Sequence, residues 1–314
     1  MNGILIIDKP AGITSHDVVA RCRRILKTKR VGHTGTLDPF ATGVMVIMVG
    51  QATRLARFLD KDAKEYEALV RFGAETDTGD RTGELKPANY DLRNISKEEI
   101  ESVLPEFRGE IKQTPPMYSA KKVEGKKLYE LARKGIEIER KPVNITIYEL
   151  ETIGEENRSE PPAVAGGLSP SDKLISKDFT LRVLCSAGTY IRTLAEDIGR
   201  KLKTGAHLAE LRRTRAGKFD LSRAVTLEKL EEIVTDNRLE EVLISMNEAI
   251  SHLPVVVLSE SEIKKTQSGI KLRFENGAIE DNQIVRMIDE KTNLIAVGFY
   301  NAAEKVVQQK IVLV

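Results

Sequence analysis

Cysteine is scarce. Cys22 and Cys185 are the only two in 314 residues, far apart and in no Cys-x-x-Cys pairing. That argues against a disulfide framework or a zinc site and fits a reducing cytoplasm. The four histidines are scattered, with no metal-ligand spacing. No apolar run approaches the roughly 20 residues a membrane span needs. The apolar start, residues 4–7, is too short for a signal peptide and reads as a strand. Excess charge is missing as well: 49 Lys plus Arg face 47 Asp plus Glu, a formal net charge of +2. Any nucleic-acid surface must therefore come from local clustering. Residues 74–84 are rich in Thr, Asp and Gly but lack the Asp-x-Asp-x-Asp-Gly spacing of a calcium loop, and read as a hairpin loop. What is left is a globular chain, 41% apolar and 31% charged, long enough for two domains.

The densest cluster of turn-forming and polar groups is Val31-Gly32-His33-Thr34-Gly35-Thr36-Leu37-Asp38-Pro39-Phe40-Ala41-Thr42-Gly43. Gly, Thr, Asp and Pro at this density suit neither a helix nor a central strand, so the whole stretch is expected as a loop, fixed by an apolar strand over 44–49. On its own residues, Asp38 is either the cap of a structural turn or a functional carboxylate. Before it, Thr14 and Asp17 resemble a capping box. Val18, Val19, Cys22, Ile25 and Leu26 then recur at helical spacing. The opposite face carries Arg21, Arg23, Arg24, Lys27, Lys29 and Arg30, a single-sign face that is either solvated or meets phosphate. Residues 50–59 read as a short helix.

Residues 64–72 alternate, putting Tyr66, Ala68, Val70 and Phe72 on one strand face. Tyr66 is either a core aromatic or the floor of a site. Ser96 and Glu99 form a capping box, and Pro105 ends or kinks the helix they start. The Pro115-Pro116 turn leads into Tyr118, Lys121, Lys122, Lys126, Lys127, Tyr129, Arg133 and Lys134, a basic helical segment that is either solvated or suited to RNA. Residues 142–150 and 177–185 read as strands. Between them, 154–176 is rich in Gly, Pro, Ser and Asn and reads as a flexible surface excursion. Ser186-Ala187-Gly188-Thr189-Tyr190-Ile191-Arg192 marks a strand-to-helix turn. A helix start disfavours a cation, so Arg192 there calls for a specific anionic partner. Residues 211–218 form a second basic cluster. Helices are expected over 227–234 and 239–250, then a small β-rich domain from near His252.

Taken together, the motifs resemble one family, the TruB tRNA pseudouridine synthases, which isomerise uridine 55 of the T-arm. The matching stretches are Asp8-Lys9-Pro10-x-Gly12-x-Thr14-Ser15, Gly32-His33-Thr34-Gly35-Thr36-Leu37-Asp38-Pro39-x-Ala41-Thr42-Gly43 and Lys64-x-Tyr66. Pro116-x-Tyr118-Ser119-Ala120-x-Lys122, Gly188-Thr189-Tyr190-Ile191-Arg192 and Leu211-Arg212-Arg213 complete the set, in the family's order. The tail resembles a PUA domain more loosely. The 154–176 stretch is longer than the family usually has there.

The resemblance implies an α/β fold of the α+β type: a large mixed, mainly antiparallel sheet with flanking helices and a thumb insertion at 112–142. The catalytic domain would span 1–250 and a PUA-like RNA-binding domain 251–314. Asp38 would be the essential carboxylate, Arg192 its partner, depressing its pKa, and Tyr66 the stacking aromatic. His33 and Tyr190 would line the nucleotide site, with Lys9, Arg212, Lys122 and Lys126 also meeting substrate. The isomerisation is redox-neutral and calls for no cofactor or metal. The expected partner is the tRNA T-arm stem-loop, with no obligatory protein partner and a monomer as default. Alternatives are a guide-RNA-dependent relative, a non-catalytic tRNA-binding or folding protein, and a glycosidase, which needs a second carboxylate near Asp38.

Overall fold

The computed structural model describes residues 1–86, 95–119, 122–123, 125–132, 135–136, 138–157, 177–274 and 279–313. The apolar N-terminus forms β1 (Gly3–Lys9), followed by α1 (Ser15–Ile25), whose Thr14 and Asp17 make the reciprocal capping box. Next come β2 (Val31–Thr34) and β3 (Thr42–Val49). A 3-10 turn (Gly50–Leu55) and α2 (Ala56–Leu59) replace the single helix expected over 50–59. β4 (Lys64–Phe72) crosses the middle of the molecule. The Ser96–Glu99 capping box opens α3 (Lys97–Val103), which gives way at Pro105 to a 3-10 turn (Leu104–Phe107) before β5 (Gly109–Gln113).

The insertion holds a two-stranded ribbon, β6 (Lys122–Val123) with β7 (Lys126–Lys127), and α4 (Leu128–Ala132). Lys126 and Lys127 therefore belong to a ribbon and not to the helix. The chain returns through β8 (Val143–Asn157) and β9 (Lys177–Cys185). β8 runs through residues 154–157, which pair with β9. The start of the expected excursion is thus strand, and 158–176 lies outside the described residues. α5 (Ile191–Lys201), β10 (Ala206–Ala216), β11 (Phe219–Asp220) and α6 (Leu227–Thr235) follow.

These strands make a nine-stranded sheet in the order β1-β3-β10-β4-β9-β8-β5, with β2 also on β3 and β11 on β10. All pairs are antiparallel except β3 with β10. The expected helix over 239–250 is broken into a 3-10 turn (Leu239–Glu241) and α7 (Met246–Ala249). The break occurs because Ile244 exchanges backbone hydrogen bonds with Ile4 at 2.8 and 2.9 Å. It satisfies groups that the edge strand β1 leaves open.

The tail forms β12 (Val255–Val257), α8 (Glu260–Gln267), β13 (Leu272–Arg273), β14 (Ile284–Ile288), β15 (Leu294–Asn301) and β16 (Val306–Val312). These strands build a second sheet, β12-β14-β15-β16-β13. The large core lies between α3, α5 and the β4, β8, β9 and β10 face, with Phe179, Ile198 and Leu208 fully buried. A separate core joins Ile4, Ile6 and Leu55 to Val297 and Ile311 of the second sheet. Among the described residues no helix is long and apolar enough to cross a membrane.

Candidate active site

The stretch expected as a loop is half strand. Val31–Thr34 pairs with residues 46–49 of β3, whose ladder supplies the order that Gly32 lacks. The loop proper is residues 35–41, and it carries Asp38. Several anchors hold it. The Leu37 N–H donates to Ser15 Oγ at 2.8 Å, and that hydroxyl donates back to the Leu37 carbonyl at 3.0 Å. Gly12 N–H donates to the Pro39 carbonyl at 2.8 Å. Lys9 Nζ donates to the carbonyls of Pro39 at 3.1 Å and Ala41 at 2.7 Å, and to that of Pro10 at 2.9 Å. At the loop's end Gly43 has φ +102°, and a Cβ there would sit 2.2 Å from the Arg213 carbonyl oxygen. Only glycine allows β3 and β10 to approach this closely.

The structure places Lys9 beneath the loop. Expected to meet substrate, it is wholly buried and absent from the walls of the cavity beside Asp38. Its parity along β1 matches Leu5 and Ile7, so the side chain points into the protein beneath the loop. Burial pushes its ammonium down to about 8, against the attraction of Asp38.

Arg192 finds its anion. The turn before α5 presents Tyr190 as N-cap, and Arg192 sits two residues into the helix, its side chain 5% exposed. Nε and Nη2 meet the two Asp38 oxygens at 3.0 and 3.2 Å, a forked pairing across 154 residues of sequence. Nη2 also donates to the Tyr118 carbonyl at 2.6 Å, and Nη1 donates to the Thr78 carbonyl at 2.8 Å. A second carboxylate, Asp80, lies 3.6 Å from Nη1.

Asp80 is the residue that sequence reasoning missed. Its carboxylate is 6% exposed and accepts from Thr82 N–H at 2.9 Å, from Thr82 Oγ1 at 2.5 Å and from Thr78 Oγ1 at 3.0 Å. It does not line the cavity, whose walls carry the carboxylates of Asp38 and Asp60, and it orients Arg192 from behind.

Burial pushes the Asp38 carboxyl above the ordinary aspartate value, with Asp80 adding to the rise. Arg192 and Lys9 oppose it. Arg192 does lower this pKa, as expected, but desolvation wins. About a third of the Asp38 side chain, 34%, stays accessible, at the wall of a cavity of about 300 Å³.

Tyr66, Tyr190, Leu211 and Arg213 line the same cavity. Tyr66 is 8% exposed, and burial raises its phenol pKa, so it stays neutral. Tyr190 is half-buried; its N–H donates to Gln113 Oε1 at 2.8 Å and its carbonyl accepts from Gln113 Nε2 at 3.0 Å. His33 lies on β2 and not among the lining residues. Burial lowers its pKa and favours the neutral imidazole, whose buried Nδ1 has no hydrogen-bond partner among the described residues.

Arg212 is committed to a forked pair with Asp8, at 3.2 and 2.8 Å. Arg215 pairs with Glu65 at 3.0 Å and Arg213 is 1% exposed, so the cations of 211–218 are divided between ion pairs and the interior. Strand alternation sends these cations to opposite faces of β10. Lys122 and Lys126 sit on the ribbon, their side chains outside the described residues. Among the described residues no group of His, Cys, Asp and Glu is placed to hold a metal ion.

Two family models match in tandem. The TruB family pseudouridylate synthase N-terminal domain covers residues 23–191, and the tRNA pseudouridylate synthase B C-terminal domain covers 192–251. The chain is 45% identical over 274 residues to tRNA pseudouridine synthase B of Geobacillus thermodenitrificans, covering 87% of this chain and 86% of that protein. The chain belongs to the TruB family of pseudouridylate synthases. The Bacillus cytotoxicus tRNA pseudouridine synthase B is 41% identical over 297 residues, covering 95% of this chain and 92% of its own.

Among solved structures, a chain of a Cbf5-Nop10-Gar1 complex superposes with TM-score 0.71 at 27% identity, over 99% of this chain and 85% of that one. An H/ACA ribonucleoprotein bound to a substrate RNA containing 2′-deoxyuridine gives 0.70 at 26%, over 99% and 85%. The TruB match identifies a pseudouridine synthase, an isomerase, on the mixed α/β frame described above. The second sheet, from Val255 onward, lies beyond both family models.

Proposed function

We propose that this TruB-family enzyme isomerises uridine 55 in the T-arm of tRNA, with Asp38 as the catalytic carboxylate. The observation that carries this is the forked Asp38–Arg192 pair at 3.0 and 3.2 Å, set in a cavity walled by Tyr66 and Tyr190. The reaction breaks N1–C1′ and makes C5–C1′, so it needs one oriented carboxylate near the ribose and an aromatic surface that keeps the detached base. Asp38 acts at C1′ as a nucleophile or at C2′ as a base; Arg192 fixes its direction and keeps it ionised. Tyr66 holds the uracil face. The target base must first leave its stack, at a cost of a few kcal/mol, offset by stacking and phosphate contacts.

On this reading the 112–142 insertion grips the T-arm, and residues 251–314 act as a PUA-like second RNA contact in a cytoplasmic enzyme. The substrate follows the relatives named tRNA pseudouridine synthase B. Asp38→Asn should abolish pseudouridine formation on a T-arm stem-loop and leave RNA binding within a few-fold of wild type. Undiminished product from that variant would overturn the assignment. A second reading, dependence on a guide RNA, is favoured by the match to the H/ACA structures over 99% of the chain. Turnover of unguided tRNA by the purified chain would overturn this second reading.

A further inference from the structure

Arg213 is not explained by the roles assigned so far. It is 1% exposed, and its hydrogen bonds go to backbone carbonyls: Nε to Val44 at 2.6 Å and Nη2 to Gly35 at 3.0 Å. Among the described residues no carboxylate forms an ion pair with it, in contrast to Arg192 and Arg212 on either side of the same site. Cations stand among its charged neighbours, alongside the carboxylates of Asp38 and Asp60 that line the same cavity. Arg213 acts against the ammonium groups of Lys9 and Lys64 and on the ring of His33. Lys64, 5% exposed, likewise spends its ammonium on the carbonyls of Asp60 and Asp62, at 2.5 and 2.6 Å, with those two carboxylates as more distant counter-charges. Burying a guanidinium beside two ammonium groups is costly.

The placement gives the charge a use. Arg213 stands opposite Tyr66 in the β10–β4 register, and Lys64 precedes Tyr66 by two on the same face of β4. All three line the cavity that holds Asp38. The Tyr66 phenol faces the Arg213 guanidinium. On the pseudouridine synthase reading, Asp38 and Arg192 meet the ribose, and Arg213 with Lys64 stands beside Tyr66, on which the base lies.

We propose that Arg213, assisted by Lys64, stabilises the detached uracil as an anion. The inference rests on the pseudouridine synthase reading of this same site. When N1–C1′ breaks, its electron pair stays on N1 and spreads over the O2 and O4 carbonyls. This holds whether Asp38 bonds to C1′ or removes the C2′ proton. After the base turns, C5 bonds to C1′, the C5 proton leaves and N1 takes up a proton, so the charge exists only between the two bond changes. A fixed cation aimed at that charge stabilises the transition state more than the neutral substrate.

The test is single-turnover loss of the N-glycosidic bond in a T-arm stem-loop carrying either uridine or 5-fluorouridine at the target. Fluorine makes uracil a better leaving group and reduces its need for an external cation. Arg213→Gln should slow the uridine reaction about 10²–10³-fold, slow the 5-fluorouridine reaction markedly less, and leave RNA affinity within a few-fold. Arg213→Lys should fall between Arg213→Gln and wild type, and Lys64→Gln should show the same substrate asymmetry at smaller size. Equal losses on the two substrates, or a loss confined to RNA affinity, would show a structural staple and overturn the proposal. If Arg213→Gln melts below the assay temperature, Arg213→Lys and Lys64→Gln carry the same comparison. Failure of wild type to convert either RNA would instead count against the functional reading itself.

Discussion

Arg192 stood out because a cation at a helix start breaks a local rule, whereas Asp38 on its own residues read equally as a turn cap and was singled out by the resemblance. Asp80 was not, since its meaning depends on how residues 74–86 fold back on α5, which no periodicity encodes. For Lys9 the motif marked a position without telling which way the side chain points, which is into the protein. The Asp38–Arg192 pair sets a pH dependence. Catalysis uses the ionised carboxylate, and burial places its folded pKa above the ordinary aspartate value. Activity should therefore be lost, as pH falls, at a higher pH than for an exposed aspartate. Arg192 lowers that pKa, so Arg192→Met should move the acid limb of the single-turnover rate to still higher pH and reduce the plateau. An acid limb that stays put in Arg192→Met, measured by rate against pH, would contradict the coupling.

At the scale of elements, the strands and the capped helices followed from alternation and capping boxes, and the failures share one cause. β2 was read as loop because its ordering comes from β3, and the 239–250 helix was expected whole because the claim of β1 on Ile244 is non-local. The basic run 211–218 falls largely on β10, whose strand parity composition does not reveal. The placement of Arg192 also depends on a non-local clamp. The α5 start has no side-chain cap of its own. The buried Gln113 amide at the end of β5 both accepts from Tyr190 N–H and donates to the Tyr190 carbonyl, at 2.8 and 3.0 Å. Gln113→Ala strips both partners from partly buried backbone groups, at about 1–3 kcal/mol each. It should lower the thermal midpoint by several degrees and slow turnover at saturating RNA. A variant that melts later or turns over unchanged would show that the turn is held by other contacts, such as Thr146 N–H on Ser186 Oγ at 2.9 Å.

For the whole molecule, the division at residue 250 marks a change of architecture but not of core. Val297 and Ile311 of the second sheet pack with Ile4, Ile6 and Leu55 of the first part. Each such side chain exposed costs about 1.5–3 kcal/mol. A chain ending after Ile250 should thus unfold at a lower temperature and aggregate, where an independent tail would leave the midpoint unchanged. Charge is equally uneven across the molecule. Residues 18–59 carry eight Lys and Arg against one acid, Asp38, in a chain whose net charge is only +2. Arg24, Lys27, Lys29 and Arg57 are exposed and have no carboxylate partner among the described residues. Arg30 binds this face together, donating to Thr53 Oγ1 at 3.2 Å and accepting from Gly50 N–H at 2.8 Å. β2 leads from this face directly to the Asp38 loop. A phosphate backbone lying across both would account for the concentration of one sign. Lys27→Glu combined with Lys29→Glu should weaken stem-loop binding at low salt by at least about tenfold and flatten the plot of log affinity against log salt by about two counterions. The single-turnover rate at saturating RNA should not change. An unaltered salt slope would place the RNA elsewhere on the surface.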